Sequence, residues 1–218
     1  MLPDELARLY PGTFGLPDEC VYANFVESLD GRVALPEVPQ SNRLIADASE
    51  ADHFVMALLR ACADVVVVGS GTLRASPTAA WTAAAAFPAL GDAFAELRRT
   101  LGLPPEPGFA VIARTPLPRE LRREPIVLDR GLEAALAELR ARGYRRILSE
   151  GGPTLFGSLL DAGLLDELFL TLSPVFAGAG LSLLEGVGLL PGRRVAGSLV
   201  GVRRDDSHLF LRYAFASA

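Results

Sequence analysis

The chain has 218 residues, half of them hydrophobic and 22% charged, the balance of a soluble globular protein with one sizeable core. Its net charge of −5 argues against nucleic acid or an anionic membrane as the main partner, although a few local arginines leave room for a small anion. All 21 basic residues are arginine, which excludes a lysine Schiff base and a P-loop lysine.

Residues 1–18 read as a short helical arm ending at Pro11-Gly12. The first ten residues are too acidic and too poor in apolar residues for a signal peptide. No apolar run has the length of a membrane span, so a cytoplasmic protein is expected. Cys20 and Cys62 lack metal-site spacing and read as reduced core residues. Cys20 to Val26 is the first strand. It leads into Glu27-Ser28-Leu29-Asp30-Gly31-Arg32, where Asp-Gly signals a tight turn. A loop carrying Pro36 and Pro39 reaches Ser41. Ser49 and Asp52 then make a capping box for a helix that buries Phe54, Val55, Leu58, Leu59 and Cys62. Val65 to Val68 is an unbroken β-branched run, typical of a parallel strand covered on both faces. It ends at Gly69-Ser70-Gly71-Thr72, where the third position of a dinucleotide fingerprint is Arg74 and no helix start is evident.

Residues 83–86 and 92–101 look helical, and Trp81 reads as a cover residue. Phe109 to Ala113 is a buried strand ending at Arg114-Thr115, a pair able to grip a phosphate. A short strand at 125–128 and an amphipathic helix from Leu132 to Arg142 follow. The strand Tyr144 to Ser149 then runs through Glu150, Gly151 and Gly152 into a helix begun by Pro153. Leu155, Phe156, Leu159 and Leu160 share a face of that helix, and Gly163 closes it. Free N–H groups and the helix dipole at such a start suit a phosphate. Glu167 to Ser173 is a further strand, and 198–203 with 209–215 form a terminal hairpin. The pattern predicts an α/β fold with a mainly parallel sheet in one domain spanning 1–218. Three loops at carboxyl ends of strands suggest a nucleotide lying across that rim. His53 and His208 have no companion at metal-site spacing, so no metal is expected.

Four ordered motifs go further: N-F-V-E-S-L-D-G-R (24–32), S-N-R-L-I-A-D (41–47), L-L-R-A-C-A-D-V-V-V-V-G-S-G-T (58–72), and E-G-G with L-L-D-E-L between 150 and 168. Together they resemble the bacterial pyrimidine reductases of riboflavin biosynthesis, the reductase half of a deaminase-reductase protein, within the dihydrofolate reductase-like superfamily. The likeness runs over residues 20–215. It implies a twisted, mainly parallel sheet flanked by helices with a C-terminal antiparallel hairpin. It also implies NADPH as hydride donor, a homodimer, and a phosphorylated pyrimidine as substrate. The reaction would reduce 5-amino-6-(5-phosphoribosylamino)uracil to the ribitylamino product.

Carried over by position, Gly69, Gly71 and Thr72 would hold the cofactor. Gly151, Gly152, Thr154 and Leu155 would seat its pyrophosphate, and Arg114 and Thr115 would meet the adenosine 2′-phosphate. Asn24, Asp30, Arg32 and Glu150 would line the pyrimidine, while Ser41 and Arg60 would hold its phosphate, with Arg60 off the buried stripe of its helix. A proton would come from Asp30, Glu150 or water. The chain departs from the family pattern at Leu73-Arg74-Ala75-Ser76-Pro77, where acidic residues are usual, at Arg32 in place of lysine, and at Glu27. No deaminase signature is present, so deamination is expected on another polypeptide. Two alternatives stay open: an NADPH reductase of another pyrimidine- or pteridine-like substrate such as dihydrofolate, and a nucleotide-binding protein without catalysis.

Overall fold

Four consecutive valines can all be buried only in a strand with helices on both sides, because successive side chains point to opposite faces. In the computed structural model, which describes residues 2–10, 14–38, 40–113 and 115–216, Val65 to Val68 are each at most 2% exposed. Val66 and Val68 join one core cluster and Val65 and Val67 the other. Burying each such side chain stabilises the fold by roughly 1.5 kcal/mol or more.

The elements in chain order are α1 (Asp4–Leu9), β1 (Cys20–Glu27), β2 (Arg32–Ala34), α2 (Ser41–Ile45), α3 (Glu50–Cys62), β3 (Val65–Gly69), α4 (Ser70–Ala75), α5 (Ala83–Ala86), α6 (Gly91–Thr100), β4 (Gly108–Ile112), β5 (Ile126–Leu128), α7 (Leu132–Ala141), β6 (Arg146–Ser149), α8 (Pro153–Asp161), β7 (Glu167–Leu172), β8 (Leu181–Ser182), β9 (Gly197–Asp205) and β10 (His208–Phe215). The main sheet has the order β5-β4-β3-β6-β1-β7-β10-β9. From β5 to β7 every neighbour is parallel, and β10 and β9 add antiparallel strands at one edge. β2 and β8 pair separately. On one face Tyr22, Phe109, Leu148 and Phe169 of the sheet pack with Leu58 and Leu59 of α3 and Phe94 of α6. On the other, Val21 and Ile147 of the sheet pack with Leu136 and Leu139 of α7 and Phe156 and Leu159 of α8. Among the described residues no helix is long and apolar enough to cross a membrane.

Two arginines tie the frame together from inside. Arg98 of α6 is 2% exposed; its Nη1 donates to the carbonyls of Arg60, Ala61 and Ala63 at 3.2, 3.1 and 2.8 Å. It thereby closes the carboxyl end of α3, where backbone acceptors lack helical partners and a cation is favoured. Arg212 of β10 holds Glu167 of β7 through Nε at 2.7 Å and Nη2 at 2.8 Å, and also donates to the carbonyls of Phe14 and Gly15.

Half of the expected capping box forms: Ser49 Oγ accepts from the Asp52 N–H at 3.2 Å, but the Ser49 N–H donates to Ala46 O at 3.0 Å rather than to the Asp52 carboxylate, which the Thr171 hydroxyl engages. Both cysteines are buried, and burial pushes each thiol up to about 12. Two expectations are corrected. A helix does start at the glycine run: Gly69 is the N-cap of α4, whose six residues are too few to show periodicity and are anchored by fully buried Leu73. Residues 41–45, expected only as the end of a proline-bearing loop, form α2, which begins after Gln40 at φ 52 with no side-chain cap to announce it. The end of the N-terminal arm expected at Pro11-Gly12 lies outside the described residues, as does Arg114.

Candidate active site

A parallel sheet delivers the carboxyl ends of its strands to one rim, and the loops leaving β1, β3, β4 and β6 gather there. Two of them pass directly into helices, with Gly69 as N-cap of α4 and Gly152 as N-cap of α8, and no side chain caps either start. The two starts are in contact. A Cβ on Gly152 would lie 3.5 Å from Thr72 Oγ1, and one on Gly69 would lie 3.9 Å from Leu155 Cβ. A Cβ on Gly151 would stand 2.5 Å from Leu155 Cδ2, so a side chain there displaces Leu155. Gly69, Thr72, Gly151, Gly152 and Leu155 are therefore brought together. Gly71 has open space beside it, and Thr154 is exposed on the first turn of α8. Thr115, past the end of β4, accepts a hydrogen bond from Arg74 Nη1 at 3.1 Å. Arg74 thus joins this side of the rim, although the sequence marks it only as the wrong residue for a third glycine and as part of the 73–77 departure from the family pattern.

The uncapped α8 start, the glycines facing it and the Ser149 hydroxyl fit a diphosphate: that hydroxyl is buried just below the rim with no partner among the described residues. When bound, a nicotinamide dinucleotide would supply a hydride, and Gly151, Gly152, Thr154 and Leu155 with Gly69 to Thr72 would hold its phosphates.

The residues expected on the substrate side are placed less uniformly. Asp30 sits in the turn after β1, where Gly31 takes φ 78. Its carboxylate accepts from Ser28 Oγ at 2.6 Å, Ala177 N at 2.9 Å and Gly178 N at 2.7 Å. These bonds, the Ser28 hydroxyl foremost, hold its carboxyl down at about 2. A carboxylate so engaged is held in its ionised form by three donors. Arg32 donates to Gly178 O at 3.2 Å, Gly180 O at 3.4 Å and Ser182 Oγ at 3.0 Å, so both residues pin the loop between β7 and β8. Ser41 Oγ accepts from Leu35 N at 2.9 Å.

Arg60 and Glu150, expected to hold different parts of the substrate, hold each other. Arg60 Nε donates to Oε1 at 2.7 Å and Nη2 to Oε2 at 2.5 Å, with both side chains under a tenth exposed. Trp81 packs over the guanidinium, its ring centroid 5.5 Å from Cζ. Asn24 lies on the same sheet face, its Oδ1 buried and without a partner among the described residues. Asp52 is a participant the sequence showed only as half of a capping box. Its buried carboxyl accepts from the Thr171 hydroxyl, and burial pushes its pKa up. Burial also raises Glu27, at the end of β1.

The lowered Asp30 pKa carries a pH dependence. A carboxyl whose folded value lies below the ordinary 3.8 stabilises the fold fully above 3.8 and loses that contribution as pH falls through about 2. Amide shifts of Ala177 and Gly178 are expected to titrate together with a midpoint near 2 in the wild type. They should show no such step in Asp30→Asn, and a step persisting there would assign the titration to another group.

The model of the RibD C-terminal domain matches residues 19–211. The chain belongs to the RibD C-terminal domain family. A member from Archaeoglobus fulgidus, the 2,5-diamino-6-ribosylamino-4(3H)-pyrimidinone 5′-phosphate reductase, is 29% identical over 72% of this chain and 81% of its own length. The riboflavin biosynthesis protein RibD of Mycobacterium tuberculosis is 30% identical over 80% of this chain, which spans only 47% of that protein. Among solved structures, a pyrimidine reductase-like protein from Corynebacterium diphtheriae superposes with TM-score 0.73 at 20% identity, covering 98% of this chain and 99% of that one. Acinetobacter baumannii RibD gives 0.67 at 18% identity, over 91% of this chain and 58% of its own. At these identities the structures speak for the fold: the RibD reductase architecture, with its parallel sheet and C-terminal antiparallel strands, is the one described above.

Proposed function

We propose that this RibD-type domain is an NADPH-dependent oxidoreductase that reduces the ribosylamino group of 5-amino-6-(5-phosphoribosylamino)uracil to ribitylamino. The observation that carries the proposal is the meeting of two glycine-framed helix starts beside Glu150 on the rim of a RibD-family sheet. The protein's share of the work is alignment: the α8 start holds the dinucleotide, and Glu150 and Asn24 face the pyrimidine beside it. Arg74 and Thr115 would meet an adenosine 2′-phosphate and so favour NADPH over NADH. The reaction takes up a proton with the hydride. Asp30 is held ionised and both Glu150 oxygens accept from Arg60, which leaves Glu27, Asp52 or water to provide it.

One observation favours a second substrate. The Archaeoglobus relative, matched over most of its length, is named for the diamino pyrimidinone that has not been deaminated. NADPH oxidation followed at the nicotinamide absorbance, with the two pyrimidines supplied separately, decides between them. Turnover of the uracil supports the first reading and turnover of the diamino compound alone supports the second. Turnover of neither, with dihydrofolate reduced instead, would reject both.

We also propose a cytoplasmic homodimer, paired through the edge strand β9, where Leu199, Val200 and Val202 are each more than half exposed. Sedimentation of the protein at assay concentration checks this; a monomer would reject the pairing.

A further inference from the structure

We propose that Arg60 is a positioning residue for Glu150, with Trp81 as its cover, and that other groups hold the substrate's phosphate. The inference rests on the reductase proposal for its substrate but on the geometry alone for its residues. Arg60 spends Nε and Nη2 on the two Glu150 oxygens, and Nη1 donates to Thr82 O at 3.3 Å. This fork-to-fork arrangement fixes the plane of the carboxylate as well as its position. Arg60 is 8% exposed and Trp81 6%, and the indole in turn stacks on Phe109 at 5.8 Å with the rings 13° from parallel. Turning Arg60 toward a phosphate would leave the Glu150 charge buried without its partner, a costly exchange.

Trp81 carries a second, independent sign. Its backbone lies at φ 55, a left-handed conformation that a bulky residue adopts only when its surroundings impose it. The strained residue precedes Thr82, whose carbonyl Arg60 uses, and its ring covers the guanidinium. Its indole Nε1 is buried with no partner among the described residues. The outcome is a Glu150 held as an acceptor, with lone pairs left over on both oxygens for the N–H donors of a pyrimidine edge. Such preorganisation of a contact by its neighbours is what a binding site on a rigid sheet requires.

The test compares Arg60→Met, Arg60→Lys, Glu150→Gln and the Arg60→Met/Glu150→Gln double variant on the phosphorylated ribosylaminouracil and on its dephosphorylated form. A misplaced contact costs about a hundredfold, so Arg60→Met should lower kcat/KM by about that factor on both substrates alike. Lysine, a single point charge, should restore little of it. The double variant should be scarcely worse than Arg60→Met alone, since the two residues act as one unit. Loss confined to the phosphorylated substrate would make Arg60 the phosphate anchor and overturn the proposal. Trp81 is the only tryptophan, so its emission reports on the pair without turnover. Emission that shifts in Arg60→Met and in the nearly isosteric Glu150→Gln supports the pair even if neither pyrimidine is a substrate. Identical spectra in all variants would overturn it.

Discussion

Replacing Gly152 with aspartate is expected to abolish cofactor binding while leaving the melting temperature unchanged or slightly raised. Gly152 sits at φ −70, ψ 178, extended backbone open to any residue, and the nearest atom to a new Cβ would be Thr72 Oγ1 at ordinary contact distance, 3.5 Å. Aspartate is also a good N-cap, worth a few tenths of a kcal/mol over glycine. The same carboxylate would stand where the diphosphate is proposed to lie. Two like charges about 4 Å apart at an effective dielectric of about 20 repel by about 4 kcal/mol, a loss of affinity on the order of a thousandfold. Titration calorimetry with NADPH measures it. Asparagine, similar in shape without the charge, should lose far less. Unchanged affinity in the aspartate variant would remove the diphosphate from this helix start.

The second large effect is on stability. Arg212→Met should cost about 3–5 kcal/mol, the range for breaking one half of a buried ion pair. Glu167 would keep its charge under β10, and the carbonyls of Phe14 and Gly15 would lose their donor. A chain of this size loses about 2–4 °C per kcal/mol, so the melting temperature should fall by roughly 10 °C. Adding Glu167→Leu should recover much of that loss, because an apolar pair can replace a buried ionic one. Denaturant unfolding of the single and double variants measures both steps. A cost below about 1 kcal/mol would place the pair among solvent-screened ones.

Both predictions turn on features that differ in how far the chain announces them. The strand at Val65 to Val68 and the α3 start at Ser49 are local patterns, and so were readable before the structure. So was the passage from Ser149 through two glycines to Pro153. The start of α4 was not, because six residues held by one buried leucine show no period. The candidate site was legible in its backbone and less so in its side chains. Asp30-Gly31 reads as a turn, but the amides that occupy the Asp30 carboxylate come from residues 177 and 178. Arg60 looks free when only its own helix is counted, since Glu150 lies 90 positions away along the chain. Trp81 has no pattern around it, and its place over Arg60 depends on a left-handed backbone that nothing in residues 77–80 signals. Elements long enough to show a period are legible in the chain; short elements such as α4 and pairings between distant segments emerge only in the fold.

The central claim is that a dinucleotide lies along the rim with its diphosphate at the start of α8. A crystal structure of the NADPH complex tests it most directly. The diphosphate oxygens are expected on the main-chain N–H groups of Gly151, Gly152 and Thr154, beside Thr72, with the nicotinamide toward Glu150. A dinucleotide seated elsewhere, with Leu155 and Thr72 closing the rim as they do here, would contradict it.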